Sequence, residues 1–176
     1  PSTDAPVQES ASAAPTEEST AGLTPEDKLA GINELEPNAK GVYQIKSIEG
    51  LRNIAKHPDA KFELVCSIDL EGATLEPSGS ESSPFTGRLD GMFYTISNFT
   101  VERSDGGDQA LFGCNEGTIR NLTLENVTVR ADESAVNIGT LAGTNHGSID
   151  YCNAAGQILV ENAGAEVNCG GGFGRT

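Results

Sequence analysis

Two stretches of this chain repeat one another at an interval of about thirty residues, and no other property of the sequence restricts the fold as much. LFGCNEGTIRNLTLENVTV, from Leu111, aligns with LAGTNHGSIDYCNAAGQILV, from Leu141, matching Leu111 with Leu141, Gly113 with Gly143, Asn115 with Asn145, Gly117 with Gly147 and Ile119 with Ile149. A third copy begins at Gly172-Phe173-Gly174, slightly later than strict register. A unit this short cannot bury an apolar face alone, so it must stack on its neighbours. The predicted arrangement is a coil of short strands and corners whose next turn lies about 4.7 Å above it, with equivalent strands pairing in parallel.

Stacking gathers equivalent side chains into columns. Ile119 under Ile149, Leu122 under Cys152 and Val129 under Leu159 are the expected apolar columns, while Arg120, Thr123, Glu125 and Arg130 point outward. Gly113, Gly117, Gly143 and Gly147, among 21 glycines, are expected at corners. Two reasons apply: backbone angles that a β-carbon disfavours, and close passage of the next turn. Asn115 and Asn145 are placed to form an asparagine ladder.

Residues 1–22 hold Pro, Ser, Thr, Ala and acids with no basic residue, the composition of a disordered acidic linker. Residues 23–58 read as a helical lead-in. One helix is expected from Thr24 as cap, with Pro25 at its first position, Glu26 and Asp27 at its positive end, and Leu29, Ile32 and Leu35 on one face. A second runs from Ser47 to about His57, carries Ile48, Leu51 and Ile54 or Ala55 at helical spacing, and stops before Pro58. Its single apolar stripe needs something to cover, which makes it the candidate amino-terminal cap of the stack. The solenoid itself is expected over 59–176. There the period changes to two, Phe62, Leu64, Cys66, Ile68 and Leu70 alternating with polar residues along one strand, with Val65 off pattern. A loop-rich stretch from Gly72 to Gly91 precedes another strand, TISNFTV, at 95–101. No cap precedes Thr176, so the natural protein is expected to continue into further coils.

The segments LFGCNEGTIRNLTLENVTV and LAGTNHGSIDYC resemble the GLUG motif, a repeat of bacterial surface proteins held to form a β-solenoid. VYQIKSIEGLRNIA, FELVCSIDLEG and FTGRLDGMFYTISNFTV are similar to the helix-bearing lead-in that precedes such repeats. The resemblance implies a right-handed parallel β-helix of the kind used in adhesins, in large secreted proteins and beside immunoglobulin-A-cleaving metallopeptidases. It carries over no catalytic residue. Cys152 and Cys169 depart from the commoner residues of the motif.

The 4 cysteines are the first candidates for chemistry. In repeat register Cys114 falls opposite Thr144, Cys152 opposite Leu122 and Cys169 near Ile138, while Cys66 sits on an inward phase, so buried free thiols are favoured over disulfides. No two cysteines lie at zinc-ligand spacing, and His57 and His146 read as isolated loop histidines. Asp90, Asp105, Asp108, Asp132 and Glu133 offer carboxylates to calcium but match no established loop, and read as solvated turn residues. Lyases and hydrolases built on β-helices need paired carboxylates, or calcium beside a basic residue. Arg120 and Arg130 form a close basic pair, with no carboxylate column evident beside them. Gly170-Gly-Gly-Phe-Gly lacks the flanking strand and helix of a phosphate loop. Asn98, Asn121 and Asn126 head Asn-x-Thr triplets, which a composition of corners and strands produces on its own.

No catalytic, cofactor-binding or metal-binding residue is therefore assigned, and no cofactor. The 26 acidic against 11 basic residues give a net charge of −15, which argues against a nucleic-acid partner, and no apolar run is long enough for membrane insertion. No leader of the usual charged-apolar-small pattern opens the chain. The expected whole is an all-β, right-handed parallel β-helix with a short helical cap, acting as a non-catalytic structural or adhesive module on the surface of, or secreted by, a bacterium. Its expected partners are a host or cell-surface protein or glycan, and further repeats or domains of the same chain. The competing readings are a fragment of a carbohydrate-active β-helix enzyme and an accessory region of a surface metallopeptidase.

Overall fold

A computed structural model of the protein describes residues 24–103, 106–132, 134–161, 168–170 and 173–175. The linker read over 1–22, together with Asp105 and Glu133, lies outside the described residues. The chain divides into two compact units, 1–31 and 32–176. In the first, α1 (Pro25–Ala30) begins as expected: the Thr24 hydroxyl accepts the Asp27 N–H while the Asp27 carboxylate accepts the Thr24 N–H, a closed capping box with Pro25 opening the helix. The helix stops at Ala30, so Ile32 and Leu35 do not share a face with Leu29, and Leu35 is exposed.

The second unit starts with β1 (Val42–Ile45), α2 (Ile48–Ile54), β2 (Lys61–Leu64), β3 (Ile68–Leu75), β4 (Arg88–Asp90) and β5 (Thr95–Glu102). A full four-strand coil follows, β6 (Gly107–Gln109), β7 (Phe112–Asn115), β8 (Thr118–Arg120) and β9 (Thr123–Ala131). The next is β10 (Ala135–Gly139), β11 (Ala142–Asn145), β12 (Ser148–Asp150) and β13 (Asn153–Val160), and β14 (Asn168–Gly170) and β15 (Phe173–Arg175) begin another. All of these strands pair in parallel, in four sheets ordered β1-β2-β4-β8-β12, β3-β5-β9-β13, β6-β10-β14 and β7-β11-β15. This is a parallel β-solenoid of about 3 turns.

The register shows what the repeat encodes. Tyr43, Phe62, Leu89, Ile119 and Ile149 pair in succession as one inward column. At the corner just before this column one backbone carbonyl in each coil accepts two N–H groups from the coil above: Pro58 from Thr86 and Gly87, Phe85 from Glu116 and Gly117, Asn115 from His146 and Gly147. A β-carbon on Gly117 or Gly147 would run into the carbonyl oxygen of the glycine one coil below, and neither has a positive φ. Close passage, not a special backbone angle, is thus the reason for these glycines. Gly113 and Gly143 lie inside β7 and β11 rather than at corners.

Several expectations need correction. Val129 pairs with Ile158, and Leu159 pairs with Arg130 and is exposed, because β9 places two residues, Glu125 and Asn126, where β13 has only Ala155. The strand expected from Phe62 to Leu70 is cut into β2 and β3 by a corner at 65–67, so Val65 was the mark of a corner. The loop-rich stretch before residue 95 contains β4, and β1 puts the first strand of the five-stranded sheet inside the expected lead-in. Coils therefore begin well upstream of the two recognisable repeats.

α2 begins as read, with the Ser47 hydroxyl accepting the Glu49 N–H and Leu51 and Ile54 buried, but it ends at Ile54, short of the expected His57. It packs on β1 and β3, the edge strands of their sheets, and so covers one end of the apolar stack. A residue without a sequence signal anchors it: the Glu34 carboxylate accepts the backbone N–H of Lys46 at 2.6 Å and of Ser47 at 2.8 Å, and the Ser47 hydroxyl at 2.6 Å. The core below is continuous. His57, Tyr43 and Phe62 stack at 5.0 and 5.2 Å between ring centres, and Phe85 meets Phe112 at 5.0 Å.

Candidate functional site

The outer face of the five-stranded sheet carries the densest polar chemistry. Because side chains alternate along a strand, the residues either side of the inward column face out. One outward column is Lys61, Arg88, Thr118 and Ser148, and the other is Gln44, Glu63, Asp90, Arg120 and Asp150. The second column places carboxylates directly above and below Arg120, which the sequence reading had not found. Its signal was present in Gly87-Arg-Leu-Asp90, Gly117-Thr-Ile-Arg120 and Gly147-Ser-Ile-Asp150, which are the same repeat position in three coils.

Asp90 is the hub. It is only 6% exposed. One carboxylate oxygen accepts Arg120 Nε at 2.7 Å and Arg88 at 3.2 Å, and the other accepts Asn121 Nδ2 at 3.0 Å and the Met92 N–H at 3.1 Å. Burial alone would raise its pKa, but these four donors outweigh it and bring the carboxyl from 3.8 down to about 2. Asp90 is therefore a fixed anion at neutral pH, with no proton to give.

Beyond Asp90 the chain turns a corner that presents apolar rings to solvent. Met92, Phe93 and Tyr94 are exposed there in one coil, and Tyr151 follows Asp150 at the corner two coils on. Met92, Phe93 and Tyr151 all have positive φ, at 50°, 64° and 52°. Between them the corner residue is Asn121, φ 53°. The backbone connects all three levels: the Phe93 N–H donates to the Asn121 carbonyl at 2.8 Å, and the Asn121 N–H to the Asp150 carbonyl at 3.0 Å. Of this corner, sequence reasoning singled out Asn121 alone, as the head of an Asn-x-Thr triplet, and none of Met92, Phe93, Tyr94 and Tyr151.

The other candidates resolve into structure. Asn98, Asn121 and Asn126 all sit at positive φ, the conformation Asn tolerates best after Gly. Their amides donate down the stack, Asn126 to Asn98 at 2.7 Å, Asn98 to Asp69 at 3.0 Å, and Asn121 to Asp90. The expected ladder forms too, Asn115 Nδ2 donating to Asn145 Oδ1 at 2.6 Å. Asp108, like Asp90, is not a solvated turn carboxylate: it is buried, and accepts Asn137 Nδ2 at 2.9 Å from the coil above. Asp132 is exposed and holds the Ser134 N–H and hydroxyl. Among the described residues no group of three His, Cys, Asp or Glu side chains is placed to hold a metal. Arg120 lies on Asp90, whereas Arg130 is on another sheet, paired in register with Glu102.

Cys66, Cys114 and Cys152 are free thiols, Cys114 pairing in register with Thr144 as expected. The side chain of Cys169, whose backbone pairs with Ile138, lies outside the described residues. Burial pushes all three described thiols above the ordinary value, and nearby carboxylates add to the rise at Cys114. They stay protonated at neutral pH, a poor state for nucleophilic chemistry. His57 is stacked on Tyr43, and His146 is an exposed corner residue.

No family model matches the chain, and no solved structure matches it. Two curated proteins do. A protein named halomucin from Haloquadratum walsbyi is 32% identical over 136 residues, covering 68% of this chain and 1% of that protein. A putative Gly-rich membrane protein from Evansella cellulosilytica is 31% identical over 125 residues, covering 65% of this chain and 14% of the relative. The chain thus spans a small part of the length of the relatives it matches. Among the described residues no helix is long and apolar enough to cross a membrane.

Proposed function

We propose that this chain is a non-catalytic structural segment of a bacterial surface or secreted protein, a stretch of GLUG-like solenoid that also offers its flank for adhesive contact. The observation that carries the reading is where its polar side chains are engaged. Asp90 with Arg120, Asn115 with Asn145, Asp69 with Asn98 and Asn126, and Asp108 with Asn137 all bond from one coil to the next. Groups that a catalyst would hold ready for substrate hold the scaffold together instead. The names of the two relatives, and their great length beside the matched part, fit a repetitive surface protein. Antibodies raised against the chain are expected to label intact cells that make the full-length protein; labelling only after lysis would overturn the reading.

One observation favours a second reading. The outward column Glu63, Asp90, Arg120 and Asp150 is an arrangement of acids beside a base that a carbohydrate-active β-helix enzyme would also need. Incubation with neutral and uronic polysaccharides separates the two. New reducing ends that disappear in Asp150→Asn would establish the enzyme, and none are expected.

A further inference from the structure

Met92 and Phe93 occupy the two central positions of a tight turn closed by the Tyr94 N–H donating to the Gly91 carbonyl at 2.8 Å. Both have positive φ, which is the type I′ pattern, and that turn is ordinarily built from Asn, Asp and Gly. For bulky side chains this backbone is strained. Tyr151 repeats the anomaly two coils on, at the corner position where the intervening coil has the well-suited Asn121. Strain at a core residue can be offset by packing, but Phe93 is 76% exposed and Tyr151 87% exposed, so neither ring returns that stabilisation to the fold. Three residues in a disfavoured conformation, all apolar and all turned to solvent at one corner, require an external reason.

The surroundings say what kind. On one side of the corner Arg120 and Asp150 reach solvent, with the buried and fully bonded Asp90 below them, and on the other runs the column of Thr95, Thr123 and Asn153. Open rings flanked by carboxylate, guanidinium, hydroxyl and amide groups suit a ligand with apolar C–H faces and many hydroxyls. Phe93 and Tyr151 are two coil rises apart, about 9.5 Å, a separation on the scale of a disaccharide. The net charge of −15 disfavours a polyanionic chain or a second copy of this one.

We propose that this corner binds a neutral polysaccharide laid along the solenoid axis, with sugar rings resting on Phe93 and Tyr151 and their hydroxyls bonding the flanking columns. The inference deepens the adhesive part of the reading above and rests on it, while the structural surface role stands without it. Affinity gel electrophoresis in mannan, xyloglucan and a soluble β-1,3-glucan, with polygalacturonate as the anionic comparator, tests it. The intact chain is expected to be retarded by at least one neutral polymer and not by polygalacturonate.

The variants Met92→Asn with Phe93→Gly, and Tyr151→Asn, give each corner the residues its backbone prefers. They are expected to unfold at the same or a higher temperature, yet to bind about tenfold more weakly, the loss of one good aromatic contact each. Absence of retardation in all three neutral polymers would overturn the proposal, as would equal retardation of the variants. A lower unfolding temperature would show instead that the rings serve the fold. Failure on any of these counts leaves the cell-labelling result above untouched, so the two readings fall separately.

Discussion

Asp90 carries a pH signature that belongs to a single side chain. Its folded-state carboxyl, at about 2, lies below the ordinary 3.8, so the native state binds that proton less readily than the unfolded chain does. The stabilisation is complete above roughly pH 4 and is lost as pH falls towards about 2, with a full size of about 2 kcal/mol. Thermal unfolding followed against pH should show this step in the parent chain, and Asp90→Asn should lack it. The glycines make a second test at this scale. Gly117→Ala drives a methyl into the Gly87 carbonyl and is expected to destabilise by about 1–3 kcal/mol or more in denaturant titration. Gly41→Ala meets open space and faces only its φ of +72°, a smaller penalty of about 1 kcal/mol. The alignment of Gly117 with Gly147 was legible in the sequence. The reason for them was not, since a repeat shows that a position is constrained without showing whether an angle or a neighbour constrains it.

At the scale of elements, capping chemistry and period were readable and coil boundaries were not. Thr24 and Ser47 begin their helices where their side chains dictate. The corner at 65–67 was hidden because apolar alternation runs through it from Phe62 to Leu70, and β4 was hidden because three residues between loops carry too little periodicity to register. Long-range contacts leave no local trace at all. Glu34 is the clearest case, a carboxylate that holds the start of α2 from more than ten residues away. Gly50 lets it approach, since a β-carbon there would strike the Glu34 carboxylate. Glu34→Ala should remove the carboxylate that accepts the Lys46 and Ser47 N–H groups and the Ser47 hydroxyl. The expected loss is about 1–3 kcal/mol, with faster hydrogen exchange concentrated in α2. Exchange accelerated equally in every coil would contradict this local role for Glu34.

For the whole molecule, the solenoid was legible from two repeats because stacking is the one way such short units can bury their apolar faces, and Ile119 does lie beside Ile149. The binding corner was not legible, because Phe93 and Tyr151 occupy dissimilar local sequences and become neighbours only when coils are counted. Cooperativity between coils rests partly on the polar ladders. Asn115 is fully buried, donates to Asn145 and accepts the Gly117 N–H at 3.1 Å. Asn115→Ala removes the donor to the Asn145 amide oxygen, while the Gly117 N–H keeps the Phe85 carbonyl; it should destabilise by about 1–2 kcal/mol and broaden the unfolding transition as the coils above and below part company.

The paired N–H groups that each corner carbonyl receives from the coil above have a mechanical consequence. They bind turn to turn along one axis, so tension applied to the chain ends loads the outermost turn alone, and the rest stay unstressed until it peels away. Each lost turn would release about thirty residues, roughly 100 Å of slack. A single-molecule pulling trace should therefore show a staircase of such increments, the behaviour of a shock-absorbing tether.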